Sequence, residues 1–208
     1  MENKSDPRVI KTKRQLKAAL ISLLAKQSVQ SLNIQRITQT AKVTRGTFYL
    51  HYTDKKDFVQ RVVHDFVEDF FRNSLVDAKP FLESKIEISE HQVQVFSLEA
   101  GFKYIATEYQ TFMVLFGLTG ENEFSEEIKS EFLQWLRNFS EKLDLDSSSQ
   151  EIPNTLKREF VISGFIGLIQ DWLAQGMIYT PHFISVKVYE LLHQNSSEKI
   201  DATDFFVI

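Results

Sequence analysis

Apolar residues recur at intervals of three and four along almost the whole of this 208-residue chain, and only 7 Gly and 4 Pro interrupt them. That period belongs to helices laid on a core, and no stretch alternates long enough to read as a strand. The fold class that follows is all-α. Asp6-Pro7 reads as an N-cap with proline at the first helical position. The helix it opens, to about residue 27, carries Leu16, Leu20, Leu23 and Leu24 on one face and Arg8, Lys11, Lys13, Arg14 and Lys17 on the other. Asn33 caps a second, short helix and Thr44 a third. A long fourth helix is predicted over about 55–78, with Phe58, Val62, Phe66 and Phe70 on one face and Val59, Val63, Val67 and Phe71 on the next, an arc wide enough to touch two layers. Further helices are predicted over about 90–108, 111–118 (ended by Gly120), 125–143, from Pro153 to about 175, and from Pro181 to about 194. The polar, Ser-rich stretch 144–153 reads as an exposed loop. The tail 196–208 is expected to be poorly ordered, and the 18 Phe must then find their places in the helices.

Charge divides the chain. Residues 1–60 hold 12 Lys+Arg against 4 Asp+Glu, whereas 61–208 hold 12 against 24, so a net charge of −4 hides a basic N-terminal module. Basic charge gathered on one module points to a polyanion partner, against the simpler reading of a solvated helix face. The absence of cysteine removes disulfides, thiolate metal sites and cysteine nucleophiles and fits a reducing, cytoplasmic setting. No apolar run approaches the length of a membrane helix, and the N-terminus lacks the apolar stretch of a signal peptide. His51, His64, His91, His182 and His193 are scattered without metal spacing. No phosphate loop, dinucleotide fingerprint, nucleophile elbow or acid–base pair is present, so neither an enzyme, nor a cofactor, nor a metal is expected.

The most specific stretch is Asn33 to Tyr52. Two short helices joined by Lys42-Val43-Thr44 make a helix-turn-helix, with Ile34, Ile37 and Ala41 turned to Phe48 and the first helix. The second of these helices starts with small and polar groups, Thr44, Arg45, Gly46 and Thr47, as entry into a DNA groove requires. Asn33, Thr44, Arg45, Thr47, Tyr49, His51, Tyr52 and Lys55 form the expected DNA face, the last four supplying donors for phosphates and Arg45 a guanidinium that matches guanine O6 and N7. The run Gly46-Thr47-Phe48-Tyr49-Leu50-His51-Tyr52, followed by Lys55 in the next helix, resembles the DNA-binding domain of the TetR family of transcriptional regulators over residues 10–63. Two positions depart from that pattern: Thr38 stands where the family usually has Ala, and Lys42 where it usually has Gly. The segment Phe160–Met177, with Gly164, Gly167 and Trp172, more loosely resembles the C-terminal region of low-GC Gram-positive members.

The resemblance implies about nine helices and a homodimer on double-stranded operator DNA, divided into a DNA-binding domain over 1–55, a ligand-binding and dimerisation domain over 56–195, and the tail. It places the dimer interface on the last two helices, at Phe160, Gly164, Gly167, Leu168, Trp172, Ile184, Val188 and Leu191, where an internal core is the alternative. Phe66, Phe70, Phe102, Phe112, Phe116, Trp135 and Phe165 are the candidates to line a cavity for an apolar or aromatic effector, or else to fill a solid core. The expected function is a repressor released from its operator by such a ligand, with the fourth helix as the link between modules. The alternative is a regulator of the same fold that acts through a protein partner without operator or ligand of its own.

Overall fold

The first helix starts where its capping residue places it. In a computed structural model, which describes residues 6–83, 93–117, 123–145, 154–194 and 200–208, the Asp6 carboxylate accepts from the Arg8 amide at 2.8 Å and Pro7 opens α1, Pro7–Leu24. Asn33 and Thr44 likewise cap α2, Ile34–Ala41, and α3, Arg45–Tyr49. At the head of α4, Lys55–Ser74, Asp54 Oδ1 accepts from the Asp57 amide while Asp57 Oδ2 accepts from the Thr53 amide, both at 2.9 Å. Those bonds favour the charged carboxylate: the Thr53 amide, then Arg61, hold Asp57 below the usual carboxylate range against a smaller opposing effect of burial.

Beyond α4 the chain departs from the helical expectation. Leu75–Asp77 form a strand, β1, and Gln94–Ser97 a second, β2, which pair antiparallel with Leu75 opposite Phe96. Between them lies one turn of helix, α5, Lys79–Leu82. The helix predicted from about residue 90 therefore starts only at α6, Leu98–Thr107, with Ser97 as its cap. Next come α7, Tyr109–Phe116; α8, Glu123–Lys142; α9, Asn154–Ala174; and α10, Pro181–His193. The expected stop at Gly120, the loop over 146–153 and the start at Pro153 lie outside the described residues.

The largest correction is the tail. From residue 200 it is ordered, not loose: a 3-10 turn, Ala202–Phe205, leads into β3, Phe206–Val207, which pairs in parallel with β2, Phe206 beside Phe96 and Val207 beside Ser97. Phe205 and Phe206 are fully buried. These strands escaped the sequence pattern because they span two to four residues and Val95, Phe96 and Ser97 are buried in succession, which erases any alternation.

The chain forms two compact units, Met1–Phe66 with Gln110–Phe124, and Val67–Tyr109 with Ser125–Ile208. In the first, Leu16, Leu20, Ile37, Phe48 and Phe58 have no exposed surface. Phe66, Phe112, Phe116 and Phe124 form a ring cluster in it, and the Lys17 ammonium lies 5.1 Å from the Phe66 ring centre. In the second, Phe96 is the hub: its centroid lies 5.0 Å from Phe132, 5.6 Å from Phe70, 5.9 Å from Phe165 and 6.0 Å from Phe206. Gly101 on α6 makes room for it, since a Cβ there would sit 2.6 Å from Phe96 Cζ. The buried phenylalanines among the described residues thus build an aromatic core in each unit.

Candidate nucleic-acid interface

The α2–α3 turn is built by its hydrogen bonds. The Lys42 amide bonds to the Gln39 carbonyl at 3.2 Å and the Val43 amide to the Thr38 carbonyl at 3.0 Å, the paired pattern that closes a helix on a left-handed residue. Lys42 is that residue, at φ 56° and ψ 41°. A β-carbon is strained there, so the departure noted in the sequence carries an energetic consequence. Lys42→Gly is expected to stabilise the protein by about 0.5–1 kcal/mol, read as a raised urea midpoint with unchanged slope. An unchanged midpoint would mean that the turn relieves the strain itself. Thr38, the other departure, is buried with its hydroxyl donating to the Ile34 and Gln35 carbonyls, so it fits an apolar seam without an unpaired group.

At the start of α3, Thr44 Oγ1 accepts from the Thr47 amide at 3.0 Å and lies 2.8 Å from Thr47 Oγ1, which ties the two hydroxyls together. Phe48 turns inward with no exposed surface, whereas Arg45 and Tyr49 on the same helix are exposed. Asn33 is exposed but its Oδ1 is taken by the Arg36 amide, 2.9 Å away. His51 is half-buried.

Two members of the expected DNA face have other partners. Tyr52 is buried, its ring 4.7 Å from Phe58 and 5.4 Å from Phe48, a wedge between the end of the helix-turn-helix and α4. The Lys55 ammonium donates to the Val29, Leu32 and Gln30 carbonyls at 2.9, 3.0 and 3.4 Å. That employs all three of its N–H groups on the connection between α1 and α2. Lys56, one residue on, is exposed, and so is Arg36 on α2. The sequence places Lys56, beside Lys55, as a point charge for phosphates but not Arg36, for which the helical period, with Arg36 on the side opposite buried Ile37 and Ala41, was the signal.

The expected pairing residues divide by exposure. On α9, Phe160 is 82% exposed and Leu156 62%. A Cβ added at Gly164 or Gly167 would meet nothing within 4 Å, so these glycines leave an open strip of backbone. On α10, Leu191 is exposed, whereas Ile184 and Val188 are buried, as is Trp172 on α9, its indole N–H donating to the Tyr179 carbonyl at 3.0 Å. A groove of about 350 Å³ runs between the two helices, floored by Trp172, Ile184 and Val188 and walled by Leu168, Phe183 and Leu191.

The seven expected cavity residues are shared out between the units. Phe66, Phe112 and Phe116 belong to the first; Phe70, Phe102, Trp135 and Phe165 belong to the second. In the second unit, Phe102 packs edge-on to Phe165 at 5.9 Å and to Trp172 at 5.2 Å, and Trp135 is half-buried on α8. Among the described residues, no three or more His, Cys, Asp or Glu come together as metal ligands, and no helix is long and apolar enough to cross a membrane.

Comparison with known proteins agrees with this geometry. Residues 16–62 match the family described as bacterial regulatory proteins of the tetR family, and residues 97–194 match a transcriptional-regulator C-terminal region. A curated relative, the uncharacterized HTH-type transcriptional regulator YxbF of Bacillus subtilis, is 24% identical over 180 residues, 86% of this chain; the chain spans 44% of that relative's length. Among solved structures, a TetR transcriptional regulator from Streptococcus agalactiae superposes with a TM-score of 0.57 at 22% identity, covering 88% of this chain and 94% of the other. FadR of B. subtilis in complex with stearoyl-CoA superposes with a TM-score of 0.62 at 19% identity, covering 88% and 99%. At these identities the superpositions establish a shared fold.

Proposed function

Because the chain belongs to the TetR family of transcriptional regulators, we propose that it acts as a homodimeric repressor, bound to operator DNA through α3 and released when an apolar or aromatic small molecule enters the second unit. The observation that carries the DNA half of this reading is α3 itself. Its inner residue, Phe48, is locked in the core, its start is fixed by the Thr44 cap, and Arg45 and Tyr49 stand exposed on a helix that cannot swivel. A rigid helix with a guanidinium near its N-terminus is suited to read bases in the major groove, while Thr47, His51, Asn33 and Lys56 meet the backbone.

Arg45→Ala is expected to weaken operator binding by roughly 1–3 kcal/mol and to relax the preference at a single operator position. Gel shifts on a library of single-base operator variants, starting from the DNA upstream of the chain's own coding region, read this directly. Uniform weakening across the library would instead make Arg45 a phosphate contact. No binding to any DNA would favour the reading in which the protein works through a partner.

The effector half rests on the aromatic core of the second unit, an apolar environment in which a hydrophobic ligand gains by leaving water. The FadR structure of the same fold is a complex with stearoyl-CoA. Helix α4 is the proposed link, since it gives residues up to Phe66 to the first unit and from Val67 to the second. Two α3 helices in a dimer must meet half-sites about 34 Å apart, or a multiple of that. A displaced α4 breaks the match, and by reciprocity bound DNA lowers ligand affinity by the same factor.

A further inference from the structure

The order of the C-terminal segment is the feature that the family comparison does not explain. Phe206 inserts between the rings of Phe165 at 5.2 Å, Phe96 at 6.0 Å and Phe132 at 6.2 Å, and Phe205 packs on Phe139 at 5.7 Å. Immediately before this apolar pair stand two aspartates, each facing a basic side chain of the body. Asp201 Oδ2 lies 2.7 Å from Lys157 Nζ, and Asp204 Oδ1 lies 3.8 Å from His193 Nε2.

We propose that the slot holding Ala202–Val207 is a ligand site for a small amphipathic carboxylic acid, an apolar body with an anionic head, and that the chain's own C-terminal segment is its resident, displaceable occupant. This rests on the reading of the second unit as an effector domain and names the effector class. The chemistry of the slot has two parts. Its floor is a set of edge-on phenyl rings, which suits an alkyl or aryl body. Its rim carries Lys157, about one-third exposed and already paired with a carboxylate. The rim favours an anion: burial pushes the Asp201 carboxyl up, but hydrogen bonds from Lys157 and Thr203 outweigh it and hold the group below the usual carboxylate range.

The occupant is held in a way that permits exchange. Its strand pairing with the body covers Phe96 with Phe206 and Ser97 with Val207. Several of its hydrogen bonds are internal and leave with it: the Thr203 amide to Asp201 Oδ1 at 2.7 Å and the Asp201 amide to Asp204 Oδ2 at 2.8 Å. A carboxylic acid that enters supplies the same two things the segment withdraws, an anion for Lys157 and apolar surface for the rings. Withdrawal without a ligand leaves both unmet, so the exchange is coupled to ligand arrival.

The chain has no cysteine, which makes a clean lock available. Ser97 and Val207 are neighbours on paired strands; adjacent strands lie about 4.8 Å apart, within the Cα spacing of about 4.4–6.8 Å that a disulfide spans. Full-length Ser97→Cys/Val207→Cys is titrated with cis-parinaric acid, a fluorescent long-chain carboxylic acid, and with its methyl ester. The reduced form serves as reference, since Ser97→Cys also removes the cap of α6. The expected result is at least tenfold weaker binding of the acid in the oxidised form, restored by dithiothreitol. Lys157→Met without the lock is expected to weaken the acid at least fivefold and leave the ester unchanged. Equal binding by oxidised and reduced forms, or no binding by the reduced form and the natural sequence, overturns the proposal. Operator gel shifts separate the two readings. Acid that binds under control of the lock but never changes operator affinity leaves the site standing and removes its role as effector site. An operator response that persists in the oxidised form places the effector elsewhere and overturns the slot.

Discussion

Phe160→Glu is expected to leave the chain folded and to abolish the proposed dimer. Phe160 is 82% exposed on α9, the helix that also carries the open backbone strip of Gly164 and Gly167. A side chain that touches so little of its own chain contributes little to the fold, so the charge should cost almost nothing in the isolated protomer. Against a second copy it buries an unpaired carboxylate in an apolar contact, which is expensive. Sedimentation should therefore find monomer with an unchanged helical spectrum. Operator affinity should fall by about 10²–10⁴-fold, the advantage that linking two half-site contacts supplies. Phe165, five residues on, is the contrasting position: it is buried against Phe96, Phe102, Phe132 and Phe206, and a charge there attacks the core and not the pairing. A Phe160→Glu protein that still sediments as a dimer would move the pairing face off α9.

Phe132→Ala is expected to be the most destabilising of the single truncations in the second unit. Phe132 has no exposed surface, and its ring lies 4.6 Å from Phe71, 5.0 Å from Phe96 and 5.4 Å from Phe165, with Phe70 and Phe206 just beyond. Removing a buried phenyl costs about 3–5 kcal/mol through lost transfer energy and the cavity left behind. That is a large share of a total stability of about 5–15 kcal/mol. Urea denaturation measures it. A loss below about 2 kcal/mol would mean that the neighbours collapse into the vacated space, and a core so yielding is one that can also open for a ligand.

Local chemistry made the N-terminal half legible. Asp6, Asn33 and Thr44 declared themselves as caps because a short polar side chain before an apolar period has few other uses, and each does accept from the first turn it precedes. Lys42 was legible as a turn residue out of type, and its backbone is left-handed. What could not be read was which polar residue spends its hydrogen bonds inside the protein. Lys55 and Tyr52 have the composition of phosphate contacts, yet the partners of Lys55 lie 23 to 26 residues earlier in the chain, a separation no local pattern reveals. The same holds for the tail. Phe205 and Phe206 follow a polar stretch that looks like the end of the fold, and their order depends on Phe139, Phe165 and β2, all distant in sequence. Ring clusters were foreseeable from the count of phenylalanines, but not their division between two units, since periodicity assigns a face and not a neighbour.

Lys55 has a mechanical meaning beyond its charge. Its ammonium bolts the first residue of α4 to the connection that precedes α2, and the Tyr52 wedge grips Phe48 and Phe58 at the other end of the helix-turn-helix. The helix-turn-helix is therefore held at its entry and at its exit to the same helix. In the proposed switch a turn of the first half of α4 carries α3 with it, because both attachments of the helix-turn-helix belong to that one helix.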